Sequence, residues 1–179
     1  MEKNFIMTAF GKDRPGIVAD VTEVLYKNGC NLKDSTMTRL ADEFTLIFLL
    51  SGQNDDLEER LSKECRRLEI EKGLSAFIRP VEIDQPEPTA GKIHIIDVEG
   101  LDHAGIVYNI SKFLSDNKIN IENLTSKRTF SPESGAGLYS MKIEVMVPAG
   151  VSLSDFEKGL DQVGNELNVD IMQYIKYIS

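Results

Sequence analysis

The stretch Gly11-Lys12-Asp13-Arg14-Pro15-Gly16-Ile17-Val18 returns 89 positions later as Gly100-Leu101-Asp102-His103-Ala104-Gly105-Ile106-Val107, and that return decides the fold. The same offset lays Asn28, Asn31, Thr36 and Arg39 on Asn117, Asn120, Thr125 and Arg128. It also keeps an apolar stripe in register, Ile17, Val21 and Leu25 falling on Ile106, Ile110 and Leu114. Farther along the offset grows to 99, where Leu57, Leu61 and Leu68 meet Phe156, Leu160 and Leu167. The ten added residues are expected in 131–137 and 148–150, both rich in turn formers. Between the copies, residues 84–91 carry two prolines and read as a short, stiff linker. A chain of 179 residues allows one large domain or two small ones. The repeat selects two, 1–83 and 92–179, each about 85 residues and small enough to gain stability from association.

Within the first copy the apolar run at residues 5–10 predicts a central strand buried on both faces. Ile17, Val18, Val21, Val24 and Leu25 follow helical spacing, with Asp13 as the expected N-cap, Pro15 in the first turn and Gly29 as the stop. Residues 31–40 and 44–51, joined by Ala41-Asp42-Glu43, predict a hairpin. Leu57, Leu61, Cys65 and Leu68 predict a second helix ending near Gly73, and residues 74–83 close the unit as a strand. The second copy repeats the order through 93–98, 105–117, 120–129, 138–147, 154–167 and 169–178. The class is therefore α+β: two tandem ferredoxin-like βαββαβ units, each an antiparallel four-stranded sheet with two helices on one face. In the strand at 44–51, Phe44, Leu46, Phe48 and Leu50 alternate with Thr45, Ile47 and Leu49, so both faces are apolar. The outer face of the first sheet is accordingly expected to be covered by the other domain or by another subunit.

Acidic residues outnumber basic ones 29 to 20, a net charge of −9 that argues against nucleic acid and anionic lipid as direct partners. No apolar run approaches the roughly 20 residues that span a bilayer, and the start shows no signal-peptide pattern. Two isolated cysteines, Cys30 and Cys65, suit a reducing compartment and read as apolar fillers; the chain is expected to be cytoplasmic. His94 and His103 lack companions at metal spacing, so neither metal nor cofactor is expected. Nor is a nucleotide-binding or nucleophile-elbow motif present.

The repeated strand-to-helix turn is where chemistry is expected. At Gly16-Ile17 and Gly105-Ile106 a helix start offers unsatisfied N–H groups to an anion, and glycine lets a ligand approach them. Asp13 and Asp102 supply the opposite charge, and Asn31 and Asn120 an amide, so that an amino acid carries the complementary groups. The same residues are also explained by packing alone: the aspartates as helix caps, the glycines as points of close contact, the asparagines as turn formers. Repetition does not decide between the two, because packing preserves such residues as readily as binding does.

Lys12-Asp13-Arg14-Pro15-Gly16-Ile17-Val18, followed by Gly29-Cys30-Asn31-Leu32, resembles the opening of an ACT domain, a small regulatory module that binds amino acids. Two such domains in tandem resemble the family of the glycine cleavage system transcriptional repressor. The resemblance implies ligand contacts at interfaces between ACT units, from Asp13, Arg14, Pro15, Gly16, Ile17 and Asn31. In the second copy it implies the same of Asp102, His103, Ala104, Gly105, Ile106 and Asn120, with His103 and Ala104 departing from Arg14 and Pro15. The expected function is a non-enzymatic, amino-acid-sensing regulator that forms a homo-oligomer, a dimer, and acts on transcription through a protein partner such as a transcription activator. The alternative is a structural or protein-interaction module whose ligand loops serve association alone.

Overall fold

The computed structural model describes residues 2–83, 91–148 and 150–175. The chain divides into two compact units, Met1–Gln85 and Pro86–Ser179. The first runs β1 (Lys3–Lys12), α1 (Ile17–Lys27), β2 (Asn31–Leu40), β3 (Glu43–Gly52), α2 (Leu57–Lys72) and β4 (Ser75–Val81). The second runs β5 (Gly91–Leu101), α3 (Ile106–Asp116), β6 (Asn120–Phe130), β7 (Gly137–Pro148), α4 (Leu153–Leu167) and β8 (Val169–Ile175). Of the expected linker, residues 84–90 lie outside the described residues and Gly91 opens β5; the expected last strand is described as far as Ile175.

Each unit is a four-stranded antiparallel sheet, ordered β2-β3-β1-β4 in the first and β6-β7-β5-β8 in the second. The expected fold class holds in both. The helices pack on one face, where Phe5, Met7, Phe48 and Leu50 of the first sheet meet Val21 and Leu25 of α1 and Leu57 and Leu61 of α2. In the second unit Ile96, Ile143 and Val145 meet Ile110, Leu114, Phe156 and Leu160. Repeat mates occupy the same places: Leu61 and Leu160 are both fully buried.

The extra residues of the second copy lie where turn chemistry put them. Arg39 pairs across the hairpin with Phe44, whereas Arg128 pairs with Tyr139, so six of the ten additions enlarge the β6–β7 turn. The other four precede Phe156.

One expectation fails. β1 is central, but it is buried on one face only: Phe5, Met7 and Ala9 point into the core, while Phe10 is 44% exposed on the other side. Both helices of a βαββαβ unit cross on the same side, so the outer face of its sheet has no covering element within the unit, however apolar its sequence. β3 behaves likewise, with Phe44, Leu46, Phe48 and Leu50 buried and Ile47 42% exposed.

The glycine that opens each repeated stretch answers to a close approach. A Cβ on Gly100 would stand 2.8 Å from Cγ1 and 3.2 Å from Cα of Val169, where α4 hands the chain to β8. Overpacking against backbone is not relieved by a rotamer change. Gly100→Ala is therefore expected to lower unfolding stability by about 1–3 kcal/mol, read by urea denaturation of the full chain; an unchanged midpoint would refute the contact.

Candidate functional site

The strand-to-helix loop of the first unit is set by bonds to the neighbouring hairpin. The amide of Asp13 donates to the carbonyl of Asp42 at 2.7 Å, and its carboxylate pairs with Nη1 of Arg39 at 3.4 Å. The second unit repeats both: the Asp102 amide donates to Gly137 O at 2.9 Å, and the Asp102 carboxylate pairs with Nε of Arg128. Two residue pairs that the repeat had aligned separately are thus one device, a carboxylate on the loop latched to a guanidinium on the second strand. Asp13 is not the N-cap expected of it. Pro15 forms a turn first, and the cap is Gly16 at φ 86°, with Gly105 at φ 99° in the second unit; neither has a side-chain capping bond. That left-handed conformation explains why glycine stands at both positions.

Access to the helix start differs between the units. In α1 the first amide bonded back into the helix is that of Asp20, to Gly16 O at 2.9 Å, while the Ile17 amide reaches Arg14 O at 3.4 Å. The intervening Val18 and Ala19 amides are those that a helix N-terminus leaves to caps, solvent or ligands. A Cβ placed on Gly16 meets nothing within 4 Å, so the approach is open. In α3 the side chain of Asn109 folds back, its Nδ2 donating to Gly105 O at 2.8 Å and standing 3.1 Å from a Cβ placed on Gly105. The Ile17 and Ile106 side chains are 2% exposed in their cores, so these residues offer a ligand only backbone.

Arg14 and His103, the point where the copies diverge, do related work. Arg14 bonds the carboxylate of Asp20, which also takes Lys72, the last residue of α2, at 3.2 Å. His103 donates from Nε2 to the carbonyl of Leu167, the last residue of α4, at 2.8 Å. Each loop is thereby tied to the end of the second helix, through an ionic triad in one unit and directly in the other. The sequence reading missed Asp20 and Lys72, because they come from two helices and no spacing pattern joins them.

Asn31 and Asn120 lie elsewhere. Asn31 pairs with Ser51, which faces Asn4 at the beginning of β1, whereas the loop follows Lys12 at its end. Eight residue steps of about 3.3 Å set the two regions roughly 26 Å apart within one unit. Asn120 pairs with Met146, which faces Ile93 near the start of β5, and so is equally remote from Asp102–Ile106. It borders a recess of about 360 Å³ with Ser111, Ser115 and Lys118 between α3 and β6. The repeated asparagines that cap are Asn28 and Asn117, whose Nδ2 groups donate to Val24 O and Phe113 O, each at 2.8 Å.

Among the described residues no group of three or more His, Cys, Asp or Glu side chains is placed to hold a metal ion, and no helix is long and apolar enough to cross a membrane. Burial raises the Cys30 thiol and pushes Cys65 up to about 11, with Glu64 adding to the rise. Cys65, 3% exposed in the core, is expected to react with Ellman's reagent at pH 8 only after denaturant is added; prompt labelling of the native Cys30→Ser chain, in which Cys65 is the remaining thiol, would contradict its placement. The bond from Arg14, followed by that from Lys72, holds Asp20 below its ordinary value of 3.8. A depressed carboxylate favours the folded state above that value and loses its contribution as pH falls through the lower, folded-state value. In a carbon-detected NMR titration Asp20 is expected to have a midpoint below 3.8 that climbs in Arg14→Ala; a midpoint indifferent to the substitution would remove the triad.

Comparisons with known proteins agree with this architecture. The profile of the ACT domain family matches residues 3–79. The glycine cleavage system transcriptional repressor of Escherichia coli K12 is 25% identical over 96% of this chain and 92% of its own length. A UPF0237 protein of Methanococcus maripaludis is 46% identical over 79 residues, 43% of this chain and 87% of that protein. Among solved structures, an unknown protein from Galdieria sulphuraria superposes with a TM-score of 0.80 at 25% identity, over 99% of this chain and 100% of that one. With the repeated βαββαβ unit and the Asp-Arg-Pro-Gly-Ile-Val loop in place, these matches assign the chain to the ACT domain family.

Proposed function

We propose that the protein is a non-enzymatic sensor of amino acids, working in the cytoplasm as a self-associating chain and regulating transcription of amino-acid metabolism through a protein partner. The observation that carries the reading is the open helix start of the first unit. Amides at Val18 and Ala19, an unobstructed Gly16 and the guanidinium of Arg14 form a local site for a carboxylate in a chain of net charge −9. Glycine is the first amino acid to consider, since the full-length relative is named for glycine cleavage. A ligand held by both the 13–17 loop and Asn31 must draw them from two ACT units, because within one unit they lie at opposite ends of the sheet. Such a ligand binds one arrangement of units better than another, and that difference is what shifts the equilibrium. A coupling of about 1–3 kcal/mol suffices for regulation. The partner is a protein, because the acidic surface repels DNA and no helix-turn-helix follows from either unit's order of elements.

A second reading has an observation of its own. Asp13 and Asp102 are already engaged by Arg39 and Arg128, and Arg14 by Asp20, which is what loops kept for association alone would look like. Calorimetric titration of the full chain with the twenty amino acids separates the two. At least one is expected to give saturable heat, with affinity reduced about tenfold or more in Arg14→Ala, a charge-assisted bond being worth roughly 1.5–3 kcal/mol. No heat and no thermal shift with any of them leaves the association module.

A further inference from the structure

We propose that the outer face of the first sheet packs on the same face of a second copy of this chain, about a twofold axis parallel to the strands between β1 and β3. This rests on the self-association proposed above and names its surface. The register orders the face in rows. Ile47 of β3 lies beside Thr8 of β1 and Phe77 of β4, and Phe10 lies one row along, giving three large apolar side chains 42–50% exposed and contiguous. The neighbouring row reads Asp34, Leu49, Ile6, Arg79 from β2 across to β4, with an acid at one edge and a base at the other. Arg79 is exposed and makes no ion pair among the described residues, while Asp34 holds only the amide of its neighbour Ser35.

That pattern is complementary to itself in one way. A twofold axis along the strands lays β2 over the partner's β4 and β3 over its β1 without moving any row. Asp34 then faces the partner's Arg79 at both edges, and Leu49 faces its Ile6, between sheets about 10 Å apart, a gap an aspartate and an arginine jointly span. An axis across the strands would exchange the rows and leave the charges unmatched. Four strands of up to ten residues present about 600 Å² in projection, near the ~800 Å² per partner of a stable interface once side-chain relief is included. The outer face of the second sheet mixes apolar Ile95 and Met172 with charge. Asp97 there holds Tyr174 at 2.9 Å and Lys142 at 3.7 Å, and Glu99 and Lys127 flank them. Burying Phe10, Ile47 and Phe77 on such a surface would strip water from charges without replacing it. The occupant with matching chemistry is the first sheet of another copy.

The test is sedimentation equilibrium of the full chain, without added amino acids and at low salt, on charge variants at the two edges. Asp34→Arg and Arg79→Asp are each expected to raise the dimer dissociation constant about tenfold, by placing like charges together twice per dimer. Mixed one to one, the two variants restore dimerisation as a heterodimer, and the double variant restores it alone. Ile47→Asp, with its fold checked by circular dichroism, raises the constant at least a hundredfold. A wild-type monomer at all concentrations overturns self-association itself. A wild-type dimer whose charge variants all behave alike overturns this surface and leaves the proposed self-association standing.

Discussion

Both units depend on a core that can be built on only one side of the sheet. With two crossover helices on the same face, the central strands point alternate side chains toward the helices and away from them. Phe5, Met7 and Ala9 obey this although the run at residues 5–10 is apolar but for Thr8; in β5 Ile96 and Val98 point to the helices, and Ile95 on the other face is 3% exposed as well. What the two sheets then place on the other side is free to diverge, and it has. The first carries Phe10, Ile47 and Phe77; the second carries a bonded cluster around Asp97. One ancestral unit, copied, has kept its interior and changed its exterior.

The same constraint governs the loops. A helix that must pack back on the sheet leaves its N-terminus at the sheet's end, held by whatever bonds the loop makes. The Asp–Arg latch to the second strand is retained in both copies, with the aspartate amide fixed to the hairpin as well. The tie to the end of the second helix is retained as a function but not as chemistry, since Arg14 reaches Lys72 through Asp20 and His103 reaches Leu167 directly. Two anchors per loop fix the helix start on strands and helices, leaving the short turn between them little freedom.

Fold and element order were legible in the sequence because a repeat supplies two readings of each element and because helical spacing survives in both. The hairpin insertion was legible for the same reason. The N-cap was not: Asp13 has the right residue type, and only the turn made by Pro15 and Gly16 moves the helix start beyond it. The separation of Asn31 from its expected companions was equally hidden. Sequence places the start of the second strand soon after the first helix, but that helix runs back along the sheet, so the strand begins at the far end. A site list drawn from a shared motif carries residues without their distances, and here the distance decides that one unit cannot hold them all on a small ligand.

The two loops differ in access. The first has an unobstructed Gly16, open amides at Val18 and Ala19, and a guanidinium beside them. The second has Asn109 folded over Gly105 and a histidine committed to a helix end in place of the arginine. An anion approaching either loop meets less obstruction at the first, since the Asn109 side chain has no counterpart at Asp20, which turns toward Arg14 and Lys72 instead. Asp20 nevertheless competes for that arginine. The first loop therefore offers a carboxylate the amides and the helix dipole together with a guanidinium that it must share with Asp20.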